Sequence, residues 1–208
     1  MAQYHILMGD IIASRKYKGP ELTQTFESLV SSCNSDLASG ILSPYTITLG
    51  DEFQGIAKSL KSGIQSIFYF EEAILKIDVD FKLRYVLHYG SIETHINREI
   101  AYGMRGPGLT KAREMLELNR RNRPRFQFEL SDMLLTEQLN RLFRVIDSLN
   151  AQWRKKDFSL ISDMLENDNN EQVGSKYRKN RSQIWKRRKH LLIEEYKTLK
   201  DVVLDMVQ

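Results

Sequence analysis

Residues 45–56 read YTITLGDEFQGI, a run of strand-forming residues that is interrupted by a glycine and two adjacent carboxylates. Tyrosine, threonine and isoleucine favour β-strands, and a glycine followed by an aspartate is typical of a tight turn. The stretch therefore predicts a β-hairpin with strands at 45–49 and 53–57. Asp51 stands in its turn, while Glu52 is expected to point to solvent from the opposite side of the strand, with a metal contact as the alternative.

The start of the chain shows the same pattern, an apolar run that ends at a charged turn. Residues 3–14 read QYHILMGDIIAS, which predicts a strand that ends near Gly9 and Asp10. Apolar spacing predicts helices over 20–37, 59–75 and 110–119, and alternation predicts a strand over 80–90. Residues 93–103 are expected to form a further strand or hairpin. The order predicts an α+β domain with a ferredoxin-like βαββαβ sheet and helices on one face.

The pattern changes in the polar stretch NRRNRPRFQFELSD, residues 119–132, which predicts a linker. Beyond it, apolar residues at helical spacing predict helices over 130–149, 158–165, 169–178 and 182–207. We therefore expect two domains, an α+β domain at 1–130 and an all-α domain at 131–208.

Composition limits the class of protein. The chain has 208 residues, of which 41% are hydrophobic, and a formal net charge of +4. No apolar run approaches the ~20 residues that span a bilayer, and the single cysteine, Cys33, has no partner for an internal disulfide. These features predict a cytoplasmic protein. The charge excess lies in residues 151–208, where 13 Lys and Arg exceed 9 Asp and Glu, which suggests a polyanionic partner.

Asp10 and Asp51 are the candidate metal ligands. If their strands are neighbours, the two carboxylates lie side by side, as oxygen ligands of Mg²⁺ or Mn²⁺ bound to a nucleoside triphosphate do. Because like charges repel, neutralising either aspartate is expected to cost little stability. The alternative, that both Gly-Asp pairs are ordinary turns, remains open. The backbone after Asp10 and the hairpin glycine are expected to approach the nucleotide, which gives as predicted nucleotide-binding residues Ile11, Ile12, Ser14, Arg15 and Gly50.

Three segments carry a resemblance to known families: ILMGDIIASR at 6–15, ITLGDEFQG at 47–55 and GMRGPGLTKAREML at 103–116. Over nearly its whole length the chain resembles the SatD family. Its N-terminal part resembles, more distantly, the palm-like catalytic domains of class III nucleotidyl cyclases and GGDEF diguanylate cyclases. That resemblance implies a palm-like fold, metal ions on Asp10 and Asp51 with help from the Ile11 carbonyl, and a contact of Arg113 with the transition-state phosphate.

Three positions depart from the cyclase pattern. Ile47 stands where cyclases have a lysine that reads the purine, Leu109 stands where they have an asparagine, and Leu49 replaces the first glycine of GGDEF. The departures favour nucleotide binding over cyclase chemistry. For Arg113, a surface ion pair with a neighbouring glutamate, Glu114 or Glu117, is the alternative to a phosphate contact.

Residues 171–190, EQVGSKYRKNRSQIWKRRKH, have the spacing of a helix-turn-helix, with Val173, Tyr177 and Ile184 at apolar positions and Gly174 at a small one. The second helix is expected to enter the major groove of DNA. The alternative is a basic helix that is only a solvated face. The predicted DNA-binding residues are Lys179, Arg181, Ser182, Gln183, Lys186 and Arg187.

Two functions of different classes follow from these patterns. The first is a DNA-binding regulatory protein whose palm-like domain senses a metal-bound nucleotide or serves mainly for dimerisation. The second is a metal-dependent nucleotidyltransferase or cyclase-like enzyme whose tail directs it to nucleic acid. An apolar stripe over 191–206 predicts a homodimer, unless the stripe packs on 134–149 of the same chain.

Overall fold

The predicted α+β class is confirmed by a computed structural model that describes residues 2–14, 20–118 and 124–208. A five-stranded sheet lies at the centre of these residues. Its strands are β1 (Gln3–Ile11), β2 (Ile41–Ile47), β3 (Glu52–Ala57), β4 (Leu83–Ser91) and β5 (Phe126–Glu129). The helices are α1 (Pro20–Asp36), α2 (Leu60–Lys76), α3 (Pro107–Leu118), α4 (Met133–Asn150), α5 (Phe158–Glu166), α6 (Asn170–Lys176), α7 (Arg181–His190) and α8 (Ile193–Met206).

The strands lie in the order β2-β3-β1-β4-β5. β2, β3, β1 and β4 run antiparallel to their neighbours, and β5 runs parallel to β4. The first four strands, with α1 and α2, form the predicted βαββαβ unit in the strand order of a ferredoxin-like sheet. The hairpin predicted at 45–57 is confirmed, because Ile47 lies opposite Phe53.

Two predictions about strands are wrong. The segment predicted as a linker carries β5, where the rings of Phe126 and Phe128 contact Phe143 of α4. The alternating pattern of this short strand is concealed by the charged residues that precede it. Conversely, residues 92–106 form no strand. That segment is held beside β2 by side chains, since the Ala101 N–H donates to Thr46 Oγ1 at 2.9 Å.

Helices cover both faces of the sheet, so the prediction of helices on one face is wrong. Leu7 of β1 belongs to the core on the side of α1 and α2, whereas Ile6 packs with α3 on the other side. α3 approaches β4 closely because two glycines meet there: a Cβ on Gly108 would lie 2.6 Å from the Gly90 carbonyl carbon. This approach sets the position of Arg113, which α3 carries.

The core on the side of α1 and α2 continues into the C-terminal helices. The rings of Phe143 in α4 and Tyr196 in α8 lie 5.5 and 6.3 Å, between centroids, from the ring of Phe68 in α2. A separate C-terminal domain is not shown, and the division at residue 130 stays a prediction. Among the described residues, no helix combines the length and the apolar character that crossing a membrane requires.

The long helix predicted over 182–207 is in fact two helices. Leu192 has a left-handed backbone conformation, with φ +54°, and separates α7 from α8. α8 then packs against α4 and α2, and the stripe residues Leu191, Tyr196 and Val203 are buried. The apolar stripe therefore packs within the chain, which is the alternative given above, and a homodimer stays a prediction.

Candidate functional site

A row of charged side chains crosses three neighbouring strands on the α3 face of the sheet. Asp10 of β1 lies opposite Glu52 of β3 on one side and opposite Arg84 of β4 on the other. Residues that are directly opposite each other project from the same face, with Cβ atoms roughly 4.5–5.5 Å apart. All three are buried, with 4%, 5% and 9% of their surface exposed. We call Glu52, Asp10 and Arg84 the ionic row.

Two arginines neutralise the two carboxylates of the ionic row. Arg84 donates from Nε to Asp10 Oδ1 at 2.8 Å and from Nη2 to Asp10 Oδ2 at 2.7 Å. Arg113 of α3 donates from Nη1 to Glu52 Oε2 at 3.2 Å. The Asp10 pair is bidentate and buried, whereas the Arg113 side chain is 36% exposed. The Arg113 pair is therefore the weaker of the two.

The prediction that Glu52 points to solvent is wrong, because β3 begins at Glu52 and its register places this side chain beside Asp10. Asp51 belongs to the turn that precedes β3, and its carbonyl oxygen accepts the N–H of Ile11 at 2.9 Å. Asp51 is partly exposed, and its carboxylate has no ion-pair partner within the described part of the chain. The turn thus brings a third carboxylate to the end of β1.

The backbone predicted to bind phosphate is partly engaged in the sheet. The N–H of Ile11 is used by the Asp51 carbonyl, and the N–H of Ile12 donates to the Lys82 carbonyl oxygen at 2.8 Å. Both donors are satisfied within the fold. A phosphate contact at these two residues stays a prediction, and it would require one of these hydrogen bonds to open.

The remaining predicted nucleotide-binding residues lie at two turns. Ser14 is partly exposed and follows Ala13, whose φ of +56° is left-handed. Arg15 lies outside the described residues. Gly50 has a φ of +78°, and a Cβ placed on it would meet no atom of the described residues within 4 Å. The hairpin turn is therefore open on the side of Gly50, where a ligand can approach the backbone.

Arg113 pairs across the fold rather than along its own helix. Its partner is Glu52 of β3, and neither of the neighbouring glutamates proposed as alternatives, Glu114 and Glu117, takes that position. The guanidinium lies beside the predicted metal-binding carboxylates without being buried. A contact between Arg113 and a phosphate stays a prediction.

Sequence reasoning missed Arg84. It stands in the run LRYVL at 83–87, where its four neighbours Leu83, Tyr85, Val86 and Leu87 are all fully buried. A charge inside an apolar strand is the same signal that marks Asp10. The alternation in this strand instead favoured a solvent-exposed face for Arg84, because nothing in the local sequence indicates that α3 covers that face.

The carboxylates of this site have the chemistry that a divalent metal requires. Mg²⁺ bound to a nucleotide is usually held by one or two protein carboxylates together with phosphate oxygens. No cluster of three acidic, histidine or cysteine side chains arranged for a metal is found among the described residues. Asp51 and Asp10 would hold the ion, and Asp10 can do so only when its pair with Arg84 opens.

The departures from the cyclase pattern have a structural cause. Leu109 is buried in the cluster between α3 and the sheet, and Ile47 packs against the core on the opposite side. Both positions are therefore used for packing rather than for reading a base. Leu49, in contrast, is 62% exposed at the hairpin.

A histidine lies on the same face of the sheet as the ionic row, four residues after Arg84 in β4. His88 of β4 is opposite Ile6, is 8% exposed, and has its Nδ1 3.6 Å from Glu129 Oε1. Nδ1 has no hydrogen-bond partner in the described part of the chain. Burial lowers the pKa of His88, while Glu129 acts in the opposite direction. The neutral imidazole is therefore the form that the fold favours.

A large groove lies on the other face of the molecule. It has a volume of about 1010 Å³, runs between α1 and α2, and includes Asp36, Tyr69 and Lys76 in its lining. The Tyr69 hydroxyl donates to Asp36 Oδ2 at 2.6 Å. None of the predicted site residues lines this groove. We place the candidate site at the ionic row, where the charged groups converge.

The packing predicted for a helix-turn-helix occurs between α6 and α7. Val173 and Ile184 are buried against each other's helices, and a Cβ on Gly174 would lie 2.3 Å from the Lys179 carbonyl oxygen. Arg178 has a φ of +53° in the turn, at the place where the motif commonly has a glycine. The local geometry matches the sequence pattern, but geometry alone shows no DNA partner.

The fold divides the cations of this segment into structural and exposed ones. Arg188 is buried and donates to the carbonyl oxygens of Met164 and Asn167, each at 2.7 Å. Arg187 pairs with Asp157, so its predicted DNA contact competes with an internal partner. The exposed residues of the predicted DNA-binding set are Lys179, Arg181, Ser182, Gln183 and Lys186.

Gln183 has a structural role that the sequence prediction did not assign. Its side-chain oxygen accepts the N–H of Asn180 at 2.9 Å, and the Asn180 side chain accepts the N–H of Gln183 at the same distance. This reciprocal pair is a capping box at the start of α7. The amide predicted to read a base is therefore engaged in holding its own helix.

Comparisons with known proteins identify a family and similar folds. The family model described as the SatD family matches residues 4–203. A search of curated proteins found no match. The similar solved structures include a bacterial light-regulated adenylyl cyclase, with 15% identity, a TM-score of 0.46, and 61% of this chain and 74% of that chain covered.

Two further cyclases show the same level of likeness. The guanylyl cyclase Cya2 has 9% identity and a TM-score of 0.40, with 56% of this chain and 70% of that chain covered. The adenylyl cyclase CyaB from P. aeruginosa has 12% identity and a TM-score of 0.37, with 56% and 71% covered. Activity does not follow from likeness at this level, and it is inferred below from the residues of this chain.

Proposed function

The chain belongs to the SatD family, and we propose that it binds a nucleoside triphosphate together with a divalent metal ion at the ionic row. The observation that supports this proposal is the meeting of two buried carboxylates, Asp10 and Glu52, with two arginines at one end of the sheet. The adjoining turn adds the carboxylate of Asp51. A metal-bound triphosphate matches these groups, because carboxylates bind the cation and guanidinium groups bind phosphate oxygens.

Each residue of the site would have a separate role in binding the metal or the phosphates. Asp51 and Asp10, with Glu52 beside them, would hold Mg²⁺ or Mn²⁺, which neutralises charge on the phosphates when bound. Gly50 lets the triphosphate approach the hairpin, and Arg113 reaches the phosphates from α3. Because apolar packing occupies Ile47 and Leu109, the base has few polar partners here. We therefore expect similar affinities for the four common nucleotides.

Isothermal titration calorimetry tests the proposal. Wild-type protein is titrated with ATP, GTP, CTP, UTP and tripolyphosphate, each with Mg²⁺, Mn²⁺ or a chelator. We expect metal-dependent binding of all five, and Asp51→Asn should weaken it about tenfold or more, equivalent to about 1.4 kcal/mol. Asp132→Asn is the matched control, because it removes one charge but keeps the α4 cap that Asp132 provides. Wild-type protein that binds no polyphosphate under any of these conditions would refute the proposal.

The same samples test for nucleotidyl transfer or cyclisation. Mass spectrometry after prolonged incubation with Mn²⁺ shows whether bound nucleotide is recovered intact or as a new product. Intact nucleotide supports a binding or sensing role, as the departures at Ile47 and Leu109 suggest. A product that disappears with Asp51→Asn supports the enzyme reading.

A second candidate function is DNA binding by α7, and the observation that favours it is the exposed cationic side of the α6–α7 unit. Trp185 is 52% exposed among these cations, and aromatic side chains can stack on bases. The exposed cations of the unit without an ion pair among the described residues are Arg178, Lys179, Arg181, Lys186 and Lys189, whereas the exposed Lys176 pairs with Asp163.

Salt dependence tests this second function on the full chain. If three to five of these cations contact phosphates, log affinity should fall with log salt with a slope of roughly −3 to −4.5. Replacing Arg181 and Lys186 by glutamine should weaken binding of duplex DNA at least about tenfold in fluorescence anisotropy. Replacing the exposed Lys155 and Lys156 by glutamine removes the same charge elsewhere. Equal losses of DNA affinity in the two double variants would show that binding depends on the net charge alone and not on α7.

A further inference from the structure

We infer that Arg84 and Arg113 are phosphate-binding residues whose resting partners are the metal-binding carboxylates Asp10 and Glu52. The inference rests on the function proposed above and adds Arg84 to the site. A guanidinium group binds carboxylate and phosphate with the same planar, two-pronged geometry, so one arginine can serve the two partners in turn.

The position of the Asp10–Arg84 pair argues against a purely structural role. Their neighbours on this face of the sheet, Met8 of β1 and Val86 of β4, are apolar and buried against α3. A buried ion pair is often no more stabilising than apolar side chains of similar volume. At this end of the sheet the apolar side chains give way to charged ones, where the turn with Asp51 begins.

A second buried arginine shows what a structural pair looks like in this chain. Arg125 donates to both oxygens of Glu71, to Asp147 and to the Leu83 carbonyl oxygen. That network joins β5, α2 and α4, and Tyr85 donates a further hydrogen bond to Glu71. Glu71 thus accepts hydrogen bonds from Arg125, from Tyr85 of β4 and from Asn150 of α4. Beside the ionic row, by contrast, lie the carboxylate of Asp51, which has no ion pair within the described residues, and the turn at Gly50.

The two pairs are arranged for an exchange of partners. Within the described part of the chain, Asp10 and Glu52 each pair with a guanidinium group, so each carboxylate has a partner before a ligand arrives. When a metal-bound triphosphate enters, the carboxylates turn to the cation and the arginines to the phosphates, and no buried charge is left alone. Arg113 is partly exposed and donates one hydrogen bond to Glu52, whereas the buried Arg84 donates two to Asp10, so the Arg113 pair opens first and that of Arg84 follows.

A measurable consequence is competition between the arginines and the metal. Without nucleotide, each guanidinium occupies a carboxylate that the metal needs, so metal alone binds weakly. With nucleotide, the guanidinium has another partner, so metal and nucleotide assist each other's binding. Removing an arginine must therefore raise the affinity for metal alone and lower the affinity for metal-bound nucleotide.

The first experiment uses isothermal titration calorimetry to compare Arg113→Met with wild type. It measures the affinity for Mn²⁺ alone and the affinity for ATP in the presence of Mg²⁺. We expect Arg113→Met to bind Mn²⁺ about tenfold more tightly and Mg²⁺-ATP about tenfold more weakly. The control is Arg141→Met, which removes an exposed arginine paired with Glu137 on α4 and should change neither affinity. Arg84→Met should show the same opposite shifts, and if it does not fold, Arg113→Met decides.

The second experiment is the reciprocal one. Glu52→Gln leaves Arg113 without its carboxylate and should bind tripolyphosphate in a chelator about tenfold more tightly than wild type. Glu137→Gln, which breaks the surface pair with Arg141, should bind it as wild type does. Wild type that binds Mg²⁺-ATP, with variants that lack these opposite shifts, overturns this inference alone. Wild type that binds no nucleotide overturns the proposed function as well.

Discussion

Asp10 is a buried carboxylate whose charge is balanced by the neighbouring strand rather than by solvent. The sequence argument treated Asp10 and Asp51 as a repelling pair, so that neutralising either one would cost little stability. In the structure, both oxygens of Asp10 accept from Arg84. The repulsion is therefore relieved by a residue that lies 74 positions away in the chain. No local pattern contains that information.

The two aspartates should consequently differ in their effect on stability. Asp10→Asn leaves the buried Arg84 facing a neutral amide, and we expect a loss of about 3 kcal/mol in the free energy of unfolding. Asp51→Asn changes a partly exposed residue without an ion pair in the described structure and should stay within about 0.5 kcal/mol of wild type. Urea denaturation of both variants checks this prediction. Equal, small losses would contradict the ion-pair account and restore the repulsion argument.

His88 should make stability depend on pH. Because burial lowers its pKa in the folded state, the unfolded chain binds a proton first as the pH falls. Stability from His88 is therefore present above its ordinary pKa of about 6.5 and decreases as the pH falls below that value. His88→Gln should flatten this part of the profile in urea titrations between pH 5 and 7. If the stability of the variant varies with pH as that of wild type does, His88 is not the source of the pH dependence.

At the scale of elements, the contact between α6 and α7 follows the sequence prediction, but the backbone conformation of the turn between them does not follow from its residues. The spacing of Val173, Gly174 and Ile184 predicted the contact between the helices, because small and apolar residues must meet where two helices cross. The motif's usual glycine is replaced by Arg178, which adopts the left-handed conformation all the same. Tertiary packing thus imposes a backbone conformation that the residue itself disfavours.

Arg178→Gly should relieve this strain. A left-handed conformation costs a residue with a Cβ roughly 1–2 kcal/mol, which the greater flexibility of unfolded glycine offsets in part. We expect a net gain of about 0.5 kcal/mol in thermal denaturation, since the exposed Arg178 side chain has little packing to lose. Lys179→Gly, at the next position, has no positive φ to relieve and should destabilise the protein. A loss of stability in Arg178→Gly would show that its side chain holds the turn.

Helices and strands with a complete local pattern were predicted closely, and those that depend on distant contacts were not. α5 was expected at 158–165 and occurs at Phe158–Glu166. β5 is only four residues long, and its partner β4 is about forty residues earlier, so its pairing has no local signal. The break at Leu192 likewise depends on α8 returning to α2 and α4. In the candidate site, Asp10 and Asp51 were predicted from turn chemistry, whereas Arg84 and the burial of Glu52 depend on strand register.

At the scale of the whole molecule, the sheet and the C-terminal helices share buried aromatic contacts. Phe143 touches Phe68 of α2 and Phe126 and Phe128 of β5. Such sharing means that the two parts predicted as domains contribute to the same core cluster. The stability of one part is therefore expected to depend on the other.

Phe143→Ala tests that dependence. Removal of a fully buried phenylalanine should cost about 3–5 kcal/mol, and we expect a single unfolding transition that moves as a whole. Val145→Ala, on the exposed side of α4, should have little effect. Two separate calorimetric transitions, of which only the second moves, would support two domains divided near residue 130.

The contact between α8 and α2 also bears on how the protein is made. The ring of Phe68 is covered in part by Tyr196, and Val203 and Val207 belong to the same buried cluster. Chains leave the ribosome from the N-terminus at about 5–20 residues per second, so some 130 residues must follow Phe68 before its partner appears. The growing sheet would expose aromatic surface for roughly 6–26 s. During this interval, chaperones that bind apolar segments can bind the unfinished chain.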